Sequence, residues 1–231
     1  MKPLEGRLAL VTGASRGIGA QTAAVLARSG ARVVRVARSL EPGRRDGFED
    51  HPCDMADPAA VADLAATVLA SLGAPDIVVS IAGVFERMAF EQASTEALQR
   101  HLAVNLVGPF VLARGLLPAM HARGSGLHIS LGSVADHTGF TQNSVYSATK
   151  YGLRGLHESL SAEYRGSGVR FTLVSPGPTD TAVWDTATPE SLADIRDRST
   201  MLRAADVAEA IHFVATRPPH VIIDWLRMGP V

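Results

Sequence analysis

Short apolar runs alternate along this chain with longer stretches in which Ala and Leu recur at helical spacing. The runs Leu8–Thr12, Arg32–Ala37, Ile77–Ile81, Leu127–Leu131, Arg170–Ser175 and Val221–Ile223 predict strands, with a weaker candidate at Glu49–Cys53. The stretches Gly17–Ser29, Pro58–Leu72, Thr95–Ala122, Ser144–Arg165 and Ala204–Thr216 predict helices. The strand runs are rich in Val, Ile and Leu, as in sheets buried on both faces. Strand–helix–strand alternation implies right-handed crossovers and parallel pairing. The expected fold is therefore α/β: a doubly wound parallel sheet of about seven strands, with helices on both faces. A chain of 231 residues fits one such domain, spanning 1–231. Pro42 and Gly43 interrupt Ser39–Gly47, so a helix expected there is short or missing. Residues 182–203 are the least regular and are expected to form a flap.

The first strand runs straight into T-G-A-S-R-G-I-G, Thr12 to Gly19. Gly13, Gly17 and Gly19 are spaced for a tight turn that lets backbone approach a pyrophosphate. The helix that follows points its free N–H groups at the anion. The turn sits between a strand and a helix, which is the context that gives such a glycine pattern meaning. It marks the sheet as Rossmann-type, with Gly13, Ser15, Arg16, Gly17, Ile18 and Gly19 as cofactor-contacting positions. Sites for NAD place an acid at the end of the second strand. Here that region reads Val36-Ala37-Arg38-Ser39. Guanidinium forks suit a phosphate, so Arg38 and Arg16 favour NADP(H) over NAD(H). Their alternative reading is solvated surface charge. Asp54 could accept from an adenine amine, or cap its own loop.

Only two of the 22 basic residues are lysines, Lys2 and Lys150. Lys150 stands four residues after Tyr146, and positions four apart share a helix face. A compact ammonium beside a phenol favours its ionised form, so this pair is expected to lower Tyr146 toward working pH.

The T-G-A-S-R-G-I-G turn, Asn105 in N-L-V-G, Ser133, Tyr146-x-x-x-Lys150 and P-G-P-T-D-T at Pro176–Thr181 occur in that order. Together they resemble the short-chain dehydrogenase/reductase family over nearly the whole chain. The resemblance implies an NADPH-dependent oxidoreductase that moves hydride between the nicotinamide and a small carbonyl or alcohol. It implies Tyr146 as general acid/base, Ser133 donating to the substrate carbonyl, Lys150 holding the nicotinamide ribose, and Asn105 positioning a relay water. Ala82, Gly83, Pro176, Gly177, Thr179 and Thr181 would line the cofactor. Pairing through the long helices would give a homodimer or homotetramer. Relatives usually carry N-N-A-G where this chain has Ser80-Ile81-Ala82-Gly83. The tethering asparagine is gone, and Ser80 is the candidate to replace part of its bonding.

Adjacency places Val134, His137, Gln142, Asn143, Pro178, Val183 and Trp184 around the carbonyl site, with Phe85 and Arg87 in reach. His137 also reads as a loop histidine with a structural hydrogen bond, and Trp184 as a flap residue or as packing. Arg87 reads as a solvated charge or a carboxylate partner. Two competitors to a carbonyl reductase stand: a 3-oxoacyl-carrier-protein reductase, and a non-catalytic dinucleotide-sensing or scaffold protein. A net charge of −1 and no basic patch with aromatics argue against nucleic acid. No apolar run reaches about 18 residues and the N-terminus is not signal-like, which argues against a membrane and for the cytoplasm. Cys53 is the only cysteine, so no internal disulfide forms. No metal-ligand cluster is evident.

Overall fold

A computed structural model describes residues 2–185 and 197–231. Ten strands appear among them: β1 Leu8–Thr12, β2 Arg32–Val36, β3 Gly43–Arg45, β4 Phe48–His51, β5 Ile77–Ser80, β6 Gly126–Leu131, β7 Val169–Pro176, β8 Thr179–Asp180, β9 Leu202–Arg203 and β10 Trp225–Met228. Six α-helices accompany them: α1 Gly17–Arg28, α2 Pro58–Leu72, α3 Thr95–Leu102, α4 Gly108–Arg123, α5 Ser144–Glu163 and α6 Ala204–Ala215.

The main sheet has eight strands in the order β10-β7-β6-β5-β1-β2-β4-β3. Every pair is parallel except β3 with β4, which is an antiparallel edge hairpin. That hairpin replaces the helix that Pro42 and Gly43 disfavour, and it brings about seven expected strands to eight. The order turns back between β1 and β5, which is the switch point where ligands sit in such sheets. One face carries α1 and α6, burying Leu26, Val207 and Ile211 on Val11, Val79 and Ile129. The opposite face carries α2 and α4, burying Leu64, Leu112 and Leu116 on Leu10, Val34 and Val78. Each such side chain contributes about 1.5–3 kcal/mol by leaving water.

Local signals set the helix ends. Asp57 caps α2, accepting from Ala59 N and Ala60 N, with Pro58 at the first position. Gly124 ends α4 in a left-handed conformation at φ 71°.

Two expectations needed correction. The triplet Val221–Ile223 is not a strand. The carbonyls of Val221 and Ile223 accept from the Arg170 and Thr172 side chains, and ladder pairing with β7 belongs to Trp225–Met228. The stretch Thr95–Ala122 is not one α-helix, because a π-helical turn at Ala103–Val107 separates α3 from α4. The stretch Thr95–Arg123 is long and apolar enough to cross a membrane by length and composition alone. Its Leu112, Leu116, Leu117 and Met120 are instead buried in the core of this fold. The expected flap is described only in part. It begins as a short 3-10 turn at Ala182–Trp184 and includes β9, while residues 186–196 lie outside the described residues.

Candidate active site

The carboxyl ends of β1, β5, β6 and β7 open into one cavity of about 1320 Å³. The glycine turn forms one wall. Gly13 has φ 68°, and a Cβ there would stand 2.9 Å from the backbone of Ala82. A Cβ on Gly19 would overlap the carbonyl oxygen of Gly13. Only glycine fits at either point. The Thr12 hydroxyl fastens the same corner, accepting from Ile81 N at 3.0 Å and Ala82 N at 3.1 Å. The lost tether is therefore supplied from β1. The expectation for Ser80 fails, because its buried hydroxyl meets no partner among the described residues.

Ser15, Arg16, Gly17 and Ile18 line the cavity where α1 begins, and Arg16 stands at its N-cap with no side-chain cap bond. Arg16 and Arg38 are exposed at this end. Asp54 lines the same end and caps its loop, accepting from Ala56 N at 3.0 Å. Free amides, a side-chain-free cradle and two exposed guanidiniums together fit a phosphorylated dinucleotide.

At the other end α5 presents Tyr146 and Lys150 on one face. The Lys150 ammonium lies 5.6 Å from the centre of the Tyr146 ring. It donates to the Leu131 carbonyl at 2.7 Å. Ser133 follows β6, and its Oγ accepts from Ala135 N at 3.1 Å. The protein's own groups push the Tyr146 phenol up to about 12. Burial is the main cause, a hydrogen bond with Ser133 opposes it, and the charge of Asp136 adds to it. The expectation that Lys150 lowers this phenol is not met by the protein alone. Burial instead pushes Lys150 itself down to about 8, against the pull of Asp136.

Asn105 sits in the π-helical turn, outside the cavity wall. Its amide is engaged at 2.9 Å with Val84 O, at 3.1 Å with Thr149 Oγ1 and at 2.8 Å with Val84 N. These bonds serve as a bridge between the helix and the loop after β5. Gln142 also lies off the wall; it adopts φ 58° and its carbonyl accepts from Met88 N. The remaining expected positions come together: Ala82, Gly83, Val134, His137, Asn143, Pro176, Gly177, Pro178, Thr179, Thr181, Val183 and Trp184 all line the cavity. Phe85 and Arg87 do so too. Phe85 stands edge-on 4.8 Å from Tyr146 and 5.1 Å from Trp184, so three aromatic rings enclose the space beside the phenol. The Trp184 indole is held by donating to Thr179 O at 2.9 Å.

Asp136, fully buried behind Ser133, was missed from the sequence. Its Oδ2 accepts from Ser133 N at 2.9 Å and Ser175 Oγ at 2.6 Å, and its Oδ1 meets His137 Nδ1 at 2.6 Å. The signal was there: Ser133-x-x-Asp136 has the spacing of a capping box, and both halves form.

A doubly wound sheet with a glycine turn at its switch point, facing a tyrosine, a lysine and a serine across one cavity, is the arrangement of a dinucleotide-using oxidoreductase. The family model for short chain dehydrogenases matches residues 7–191. The D-threitol dehydrogenase of Mycolicibacterium smegmatis is 32% identical over 226 residues, covering 92% of this chain and 87% of that protein. A closed form of serine dehydrogenase complexed with NADP+ superposes with a TM-score of 0.86 at 28% identity, covering 96% of this chain and 94% of that one. A metagenomic short-chain oxidoreductase in complex with NADP gives 0.82 at 31% identity, covering 99% of each chain. The chain belongs to the short-chain dehydrogenase/reductase family.

Proposed function

We propose that this protein is an NADP(H)-dependent oxidoreductase that interconverts a small carbonyl compound and its alcohol. The observation that carries this reading is the meeting of the Tyr146 phenol, the Ser133 hydroxyl and the Lys150 ammonium in the cavity whose far end is the glycine turn. Two of the similar structures are NADP complexes, which supports the choice of cofactor. Gly13, Ser15, Gly17, Ile18 and Gly19 would hold the pyrophosphate, and Arg16 and Arg38 a 2′-phosphate. Asp54 would face the adenine. Ala82, Gly83, Pro176, Gly177, Thr179 and Thr181 would bracket the nicotinamide half. When bound, the reduced cofactor supplies hydride.

The chain's own residues handle the proton. A phenol held at about 12 by its surroundings is protonated at neutral pH, so Tyr146 is loaded as an acid for reduction. Its proton passes to the carbonyl oxygen as that oxygen becomes an alcohol. Ser133 donates to the same oxygen and stabilises the charge that builds there. Lys150, pushed down to about 8, is poised to return a proton to the phenol. Asn105 would hold the water that links Lys150 to solvent. Phe85 and Trp184 would exclude water from the substrate, and Val134, His137, Asn143 and Pro178 would shape its pocket.

We also infer that the protein pairs through α4 and α5. Phe110 and Tyr151, both 46% exposed, lie on these helices, and the mass in solution tests this. The reaction is tested by following nicotinamide absorbance over a panel of ketones and hydroxy compounds. NADPH oxidation by at least one small ketone is expected, with NADH at least about tenfold poorer. Arg38→Asp is expected to abolish that preference. A protein that uses no carbonyl compound, or a variant that retains the preference, contradicts the corresponding part of the reading.

A further inference from the structure

The buried carboxylate of Asp136 organises a chain of hydrogen bonds whose direction is fixed. Trp225 Nε1 can only donate, and it gives its proton to Ser175 Oγ at 2.8 Å. Ser175 therefore turns its own hydrogen to Asp136 Oδ2. Ser133 N donates to the same oxygen. The other oxygen faces His137 Nδ1, so the ring carries its proton there. Gly132 makes room for this carboxylate, because any Cβ at that position would run into Asp136 Oδ2. Trp225 also packs edge-on against His137, at 5.2 Å between ring centres. The imidazole is thus set in tautomer and orientation by the core of the protein. With Nδ1–H committed, a neutral ring carries its lone pair on Nε2. His137 lines the cavity, and Nε2 makes no bond to any described residue.

A carboxylate-oriented histidine on the wall of a substrate pocket is a built acceptor. We propose that His137 is a specificity-determining residue that accepts a hydrogen bond from a hydroxyl next to the reacting carbon, so that the preferred substrate is an α-hydroxy ketone or the matching 1,2-diol. Asp136 is its positioning residue. The inference rests on the hydride-transfer reading above and narrows its substrate class.

Two variants separate the halves of the ring. His137→Asn places an amide nitrogen where Nδ1 stands and keeps the bond to Asp136, but has nothing in place of Nε2. His137→Gln keeps a polar atom at the outer position and gives up the bond to Asp136. The readout is selectivity: kcat/KM for an α-hydroxy ketone divided by kcat/KM for the same ketone without the hydroxyl. In the wild-type protein this ratio is expected to favour the hydroxy ketone, and in His137→Asn to fall by about tenfold or more. His137→Gln is expected to keep more of the ratio than His137→Asn. The overturning results are a ratio that His137→Asn leaves within about twofold, or a ratio that responds for a 2-oxo acid and not for the hydroxy ketone. If the wild-type protein reduces neither ketone, the reaction reading fails by itself. The same ligand pair titrated by quenching of Trp184 and Trp225 fluorescence then tests His137 directly, and equal affinities would overturn the inference.

Discussion

The two ends of the cavity are built by different means. At the cofactor end, backbone does the work: Gly13 and Gly19 bring main chain against main chain, and Thr12 fastens the loop after β5 to β1. At the substrate end, side chains do the work. Asp136 gathers donors from Ser133, His137 and Ser175, and through Ser175 the indole of Trp225, 89 residues further along the chain. A backbone cradle serves any ligand with the same phosphates. A side-chain lattice is specific to what it faces, and one substitution re-tunes it.

The largest expected effect on cofactor binding comes from breaking the backbone end. Gly19→Ala drives a methyl group into the Gly13 carbonyl, and the turn must move. NADPH affinity is expected to fall by about 100-fold, or roughly 2.8 kcal/mol, in a direct binding titration. Unchanged affinity would mean that the turn does not touch the cofactor.

The side-chain end should respond by tuning. The charge of Asp136 is one of the causes that raise Tyr146. Asp136→Asn removes it, so the phenol ionises at lower pH. The alkaline limb of the reduction profile, where the acid is lost, is expected to move to lower pH. An upward shift, or no shift in a folded variant, contradicts this electrostatic link.

An effect on stability alone lies away from both ends and serves as a control for the comparison. Burial pushes His128 down to about 4, with the neighbouring His157 adding to it. Between the ordinary histidine value of about 6.5 and that value, the unfolded chain binds the proton and the fold does not. Stability present above pH 6.5 is therefore lost as pH falls toward 4, by about 1.4 kcal/mol per unit. Urea midpoints across that range should show the slope, and His128→Leu should flatten it.

Legibility in the sequence divides along the same line. The glycine turn was readable because its spacing has a local cause, a strand handing over to a helix. Most of the sheet was readable because its central strands are largely apolar, rich in Val, Ile and Leu. The last strand was misplaced because Val221–Ile223 is the more apolar stretch, whereas its carbonyls are taken by the Arg170 and Thr172 side chains and the ladder with β7 starts at Trp225. The π-helical turn at Asn105 has no signature in hydrophobic spacing. Arg38 was legible as charge, but the environment of Tyr146 was not. Burial and the charge of Asp136 raise this phenol against a hydrogen bond with Ser133, and neither cause is visible until the chain is folded. Asp136 itself depends on Ser175 and Trp225, partners brought from distant strands.

The most direct test of the account compares Tyr146→Phe with the wild-type protein on one accepted ketone, measuring NADPH affinity and single-turnover hydride transfer together. Affinity within about threefold of wild type is expected, with transfer slowed by roughly 10²–10⁴-fold. Transfer at the wild-type rate in a variant that still binds NADPH would contradict the assignment of Tyr146 as the acid.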